Sequence, residues 1–105
     1  MRVIMQHADS LEIDPKQAAA FRAWRHTNHP KVFQRMDAIQ KLRKELQQEV
    51  LKGANLARVN SYLWRMDQLR AEIVAAKLAC RNMVRRVLSG EQWQKLVEIY
   101  EAEYL

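Results

Sequence analysis

Glycine and proline are scarce in this chain, with two of each among 105 residues. Sheet and α/β proteins need turn residues at far higher density, so the shortage leaves helix as the expected structure. Two glycines also cannot build a loop that cradles phosphates, which removes that route to nucleotide chemistry. One cysteine, Cys80, excludes an internal disulfide. No apolar run reaches the ~18 residues of a membrane-spanning helix. The opening MRVIMQHADS carries too short an apolar stretch for a secretory leader, whose core takes roughly 7–15 residues. The expectation from this is a cytosolic protein or a mature domain without its leader. No Ser/His/Asp arrangement or convincing carboxylate pair is visible, so the chain reads as non-enzymatic, with no cofactor required.

Hydrophobic residues make up 49% and charged residues 29%, the balance of an ordinary globular chain, and the length suits one domain spanning 1–105. The net charge is +6. That favours acidic partners such as nucleic acid, anionic lipid or acidic polypeptide, or it serves solubility alone. Nucleic acid is the least favoured partner. The basic residues have acidic neighbours, and no helix-turn-helix, zinc-finger or RNA-recognition signature appears. Charge is unevenly spread. Between Asn55 and Leu88 stand Arg58, Arg65, Arg70, Lys77, Arg81, Arg85 and Arg86 against Asp67 and Glu72. The C-terminal stretch reverses this, with Glu91, Glu98, Glu101 and Glu103 against Lys95.

Pro15, Pro30, Gly53 and Gly90 divide the chain where its hydrophobic period breaks. Val3 to Ala8 suits a helical turn or two. A first helix is expected from Pro15 to Thr27, with Ala18, Phe21 and Trp24 or Arg25 at three- and four-residue spacing. A second is expected from Pro30 or Lys31 to Lys52, carrying Phe33, Met36, Ile39, Leu42, Leu46 and Val50. Gly53 fits a left-handed cap at its end. The third and longest runs from Asn55 to Leu88. Its seam of Leu56, Val59, Leu63, Met66, Leu69 or Arg70, Ile73, Ala76, Cys80, Met83 and Val87 repeats by threes and fours like a heptad. At 1.5 Å per residue it would span roughly 50 Å, too long for a compact one-chain bundle of this size. A fourth helix is expected from Gly90 to Tyr104. The fold class is therefore all-α, an elongated bent helical hairpin of about four helices with apolar surface that calls for a partner copy.

Two helix starts share one device. In LEIDPKQ, Asp14 is a helix cap and Gln17 completes a capping box; in VLSGEQWQKL, Ser89 and Gln92 do the same. Each copy reads apolar residue, cap, two variable positions, glutamine. Leu88 and Trp93 add the spacing of a hydrophobic staple. The copies bracket the whole helical hairpin.

These paired LTxxQ-like motifs resemble the Spy/CpxP family of periplasmic proteins. LEIDPKQ is similar to that family's first motif region and VLSGEQWQKL to its second. Asp14 stands where the family has threonine, and Gly90 where proline is commoner. The resemblance implies a cradle-shaped antiparallel homodimer of bent hairpins. It also implies a periplasmic location and ATP-independent binding of unfolded or partly folded polypeptides in envelope stress. A second branch of the family implies a metal-sensing or metal-binding domain of the CnrX-like kind. A third possibility is a regulatory module that docks onto a membrane sensor.

Basic and apolar side chains together suit weak binding of unfolded chains, because charge attracts at long range and apolar contacts then hold without one required shape. Arg58, Tyr62, Trp64, Arg65, Arg81 and Arg85 are the candidates for such a surface. Met66 and Met83 lie on the seam and read as core. His26 and His29 have an H-x-x-H spacing that would share a helix face, with His7 as a third candidate ligand for a divalent transition metal. Against this, Pro30 is expected to leave His29 in a turn. Cys80 falls among apolar seam residues and reads as a small buried hydrophobe.

Overall fold

A computed structural model describes residues 1–105. The protein is all-α, with α1 at Arg2–Gln6, α2 at Pro15–Leu51, α3 at Leu56–Val87 and α4 at Gly90–Tyr104. The third and fourth helices begin and end within a residue or so of their expected limits.

The expected break at Pro30 is absent. α2 runs through it as one helix of 37 residues, merging the segments expected at Pro15–Thr27 and Pro30–Lys52. The reason lies in the number of hydrogen bonds at stake. A break would orphan about four carbonyls and four N–H groups, all needing caps. Continuing loses only the bond that proline cannot donate, together with a steric penalty, at a cost of about 3 kcal/mol. The ring of Pro30 sits on the exposed side of the helix, outside the seam.

Contacts divide the chain into two compact units. The first comprises Met1–Thr27 and Leu78–Leu105, and it holds the main core. Ile4 from α1, Leu11 from the following turn, Phe21 from α2, Met83, Val84 and Leu88 from the end of α3, and Leu96 from α4 are all buried together. Trp24, Cys80, Trp93 and Ile99 pack around them half-buried. Met83 and Cys80 thus lie in or against the core, as their seam positions suggested.

The second unit, Asn28–Lys77, is a two-helix hairpin. Only Ile39 and Met66 are buried in it. Around them Val32, Leu42 and Leu46 of α2 meet Val59, Tyr62, Leu69 and Ile73 of α3 half-buried. The seam differs from expectation on both helices. Tyr62 occupies the position assigned to Leu63, and Leu63, Leu56, Phe33, Met36 and Val50 are exposed. Two exposed ion pairs hold the hairpin in register: Arg35 Nε to Glu72 Oε2 at 2.8 Å, and Arg58 Nε to Glu49 Oε2 at 2.7 Å.

The hairpin tip closes α2 with a Schellman motif. Ala54 N–H donates to the Glu49 carbonyl and Gly53 N–H to the Val50 carbonyl, both at 3.0 Å. Gly53 takes φ +91, the left-handed region that glycine enters without penalty. Asn55 then caps α3, its Oδ1 accepting the N–H of Arg58 at 3.0 Å. The corner before α2 repeats the device. Ile13 N–H donates to the Ala8 carbonyl at 3.1 Å and Glu12 N–H to the Asp9 carbonyl at 3.2 Å, and Asp14 caps α2. Here the left-handed position, φ 55, is held by Glu12.

Replacing Pro30 with alanine restores a helical N–H and should raise stability by up to about 3 kcal/mol in urea denaturation. No change, or a loss, would show that α2 is interrupted. Gly53→Ala meets no atom within 4 Å, so its cost is backbone strain alone. A loss of about 1–2 kcal/mol is expected.

Candidate functional site

Two regions bear on function: a polar clasp in the first unit and an exposed surface on the second. The clasp is built by the two capping boxes. At α2, Gln17 N–H donates to Asp14 Oδ1 at 2.7 Å while Gln17 Oε1 accepts the N–H of Asp14 at 3.1 Å. At α4, Gln92 N–H donates to Ser89 Oγ at 3.2 Å while Gln92 Oε1 accepts the N–H of Ser89 at 2.9 Å. Each glutamine side chain is thereby turned back over its own cap, which aims both amides at one place.

There they bond to each other. Gln17 Nε2 donates to Gln92 Oε1 at 2.8 Å, and Gln92 Nε2 donates to Gln17 Oε1 at 3.0 Å. Each Nε2 also reaches the backbone in front of the other's helix. Gln17 donates to the Val87 carbonyl at 3.1 Å, and Gln92 to the carbonyls of Leu11 and Glu12, each at 3.1 Å. An amide offers two N–H bonds and two lone pairs, and here every one is used. Glutamate at either position would lack the donors, and leucine would strand the carbonyls. The paired motifs were legible as helix caps. Their mutual bonding was not, although two glutamines at the same offset from two caps was the signal for it.

The four capping residues Asp14, Gln17, Ser89 and Gln92 thus form one group. Leu88 and Trp93 flank it as a staple, Leu88 buried and Trp93 half-buried, with Arg85 lying over the indole at 5.7 Å. His7 Nε2 lies 2.7 Å from Glu103 Oε1, tying the end of α1 to α4.

The histidine candidates do not converge on a metal centre. His26 and His29 are both exposed on the continuous α2, so His29 lies in helix and not in the expected turn. His29 packs edge-on against Phe33 at 4.5 Å. His7 faces Glu103. No group of three or more histidine, cysteine or carboxylate side chains is placed to hold a metal ion.

The polypeptide-binding candidates fall into three places. Arg58, Tyr62 and Arg65 cluster on one flank of the hairpin: Arg65 lies over the Tyr62 ring at 5.8 Å, and Arg58 also interacts with it. The hydrogen bond from Arg58 holds the Glu49 carboxyl below its ordinary range, and the same bond raises the Arg58 guanidinium. Trp64 stands apart, 65% exposed, on the side of α3 away from the seam. Arg81 and Arg85 belong to the first unit, where Arg81 is bonded to Asn82 and Arg85 covers Trp93. Tyr62 is the one candidate that also serves the seam.

Comparison of the chain with family models, with curated proteins and with solved structures finds no match. No helix is long and apolar enough to cross a membrane.

Removing either amide takes the donor from a part-buried carbonyl, that of Val87 or Leu11, so Gln17→Ala and Gln92→Ala should each cost about 1–3 kcal/mol. Because both break one network, the double variant should fall short of the sum by at least about 0.5 kcal/mol. Urea denaturation of the four-variant cycle checks this, and strict additivity would show that the amides act separately.

Proposed function

We propose that this protein binds unfolded or partly folded polypeptides without ATP, as its resemblance to the Spy/CpxP family implies, in envelope stress protection in the periplasm. The carrying observation is the exposure of Trp64 on α3, the helix that also carries the basic flank of the hairpin on another of its sides. A 65%-exposed tryptophan gains nothing for the fold where it stands. On the other flank of α3, Arg65 and Arg58 offer charge and Tyr62 an aromatic edge. Such a surface attracts acidic or mixed chains over distance and holds apolar segments by contact area. Its arginines stand on α3, whose start at the hairpin tip is capped by Asn55, while their long side chains adapt.

Weak, adaptable contact fits a holdase. Release then follows from competition by the client's own folding, which buries the apolar segments, and needs no nucleotide. The exposed His26 and His29 add no independent support for a metal-sensing role.

The test is suppression of aggregation of a chemically denatured client at equimolar protein. Light scattering should fall by half or more, and Trp64→Ala combined with Arg65→Ala should remove most of that effect while circular dichroism stays unchanged. No suppression by the folded wild-type chain would overturn the proposal. Stable one-to-one capture of a single folded partner, with no effect on denatured clients, would point instead to a docking module for a membrane sensor.

A further inference from the structure

α4 presents three neighbouring stripes of residues, each spaced by fours and threes. The inner stripe is Gln92, Leu96, Ile99 and Glu103, and the fold uses all of it. Gln92 is in the clasp, Leu96 is buried, Ile99 packs against the core and Glu103 meets His7. One residue further round the helix come Trp93, Val97, Tyr100 and Tyr104. Trp93 and Val97 are half-buried. Tyr100 and Tyr104 are 48% and 50% exposed, and their rings stack on each other with centroids 5.0 Å apart. One residue further again come Gln94, Glu98 and Glu101, all exposed. An aromatic seam thus runs between the core and a row of carboxylates, and its outer half stands open to solvent.

Three observations say what fits there. A spacing of four, three and four is the seam that a helix shows to another helix. The stacked tyrosines make that seam a broad, ordered surface one turn long. Second, the charge is of one sign. α4 holds four glutamates and one lysine, in a chain whose net charge is +6. Glu98 and Glu101 line the seam on its solvent side, and a seam flanked by one sign selects a partner helix flanked by the other. Third, the seam already accepts a cation at its inner end, where Arg85 lies over the Trp93 ring at 5.7 Å. Tyr100 and Tyr104 have no such cation over them.

We propose that this seam of α4 binds a basic amphipathic helix of another protein. The apolar side of that helix rests on Val97, Tyr100 and Tyr104, and its arginines or lysines meet Glu98 and Glu101. Arginine suits the place doubly, since its planar head pairs with carboxylates and stacks on aromatic faces. A second α4 is the wrong occupant, because it would set glutamates against glutamates. From Trp93 to Tyr104 the seam is roughly 16 Å long at 1.5 Å per residue, the length of three helical turns. The mode is a helix laid along an apolar strip, read at intervals of three and four. It lies wholly in the first unit and shares no residue with the Trp64 and Arg65 surface, so either reading can fail alone.

The probe is a fluorescent synthetic helix of about 20 residues, with leucine at its seam positions and arginine beside them. It is titrated with the full chain and read by anisotropy, against a control peptide carrying glutamate in place of arginine. The basic peptide should bind with a dissociation constant of about 50 μM or below, and the acidic one at least roughly tenfold more weakly. Tyr100→Ala with Tyr104→Ala should weaken the basic peptide by roughly tenfold or more. Glu98→Arg with Glu101→Arg should reverse the preference, so that the acidic peptide binds better. Trp64→Ala with Arg65→Ala should change neither value. All these side chains are exposed, and circular dichroism should be the same for every variant. Equal binding of the two peptides, or none by the folded wild-type chain at about 500 μM, would overturn the proposal. So would loss of binding in the Trp64 and Arg65 variant, which would make the peptide a client of the hairpin. Self-association of the chain that the tyrosine variant abolishes would make a second copy the occupant and overturn it as well.

Discussion

The reciprocal amide pair of Gln17 and Gln92 is the interaction on which the first unit depends. It joins the starts of α2 and α4, positions widely separated in sequence, and holds the backbone that precedes each of them. The apolar core beneath it is modest in size and drawn from all four helices. Hydrophobic contact is non-directional and would tolerate several arrangements of the helix ends that supply it. The amides do not, because their donors and acceptors are matched to particular partners and an unfilled one is costly. They convert a generic apolar cluster into a specified junction.

Stability is therefore unevenly placed. The clasped end holds most of the buried side chains and the long-range polar bonds. The hairpin unit holds two buried side chains, two surface ion pairs that cross between its helices and a well-built tip. Exposed ion pairs contribute little each, and a two-helix hairpin cannot shield both sides of either helix. Local caps dictate where its helices stop, but not what they lie against. This is the physical reason to seek partners on the surface of the hairpin.

How far the sequence was legible follows the range of the interactions. Capping boxes, the Gly53 turn and the Asn55 cap are encoded within a few residues, and all were readable. Pro30 misled because proline's local preference is real but is weighed against the whole of a capped helix. Tyr62 and Leu63 were confused for a related reason: both fit a spacing of threes and fours, and only contact across the hairpin decides between neighbours. The same ambiguity misplaced Phe33 and Met36, which were read as seam together with Ile39, although both are exposed and Val32 takes the half-buried place. The basic flank was visible in composition, but its division between two units, and the separation of Trp64 from Arg58, Tyr62 and Arg65, depended on three-dimensional placement.

Glu12 deserves a final thought in this light. It occupies the same left-handed place in its corner that Gly53 occupies at the hairpin tip, yet it carries a side chain that disfavours that geometry. Its carbonyl is one of the two that Gln92 grips. The junction therefore keeps a backbone kink under tension, and once the grip slips the kink has reason to unwind. Loosening and relaxation then reinforce one another, so this end of the molecule should come apart in a single all-or-none step and not fray residue by residue.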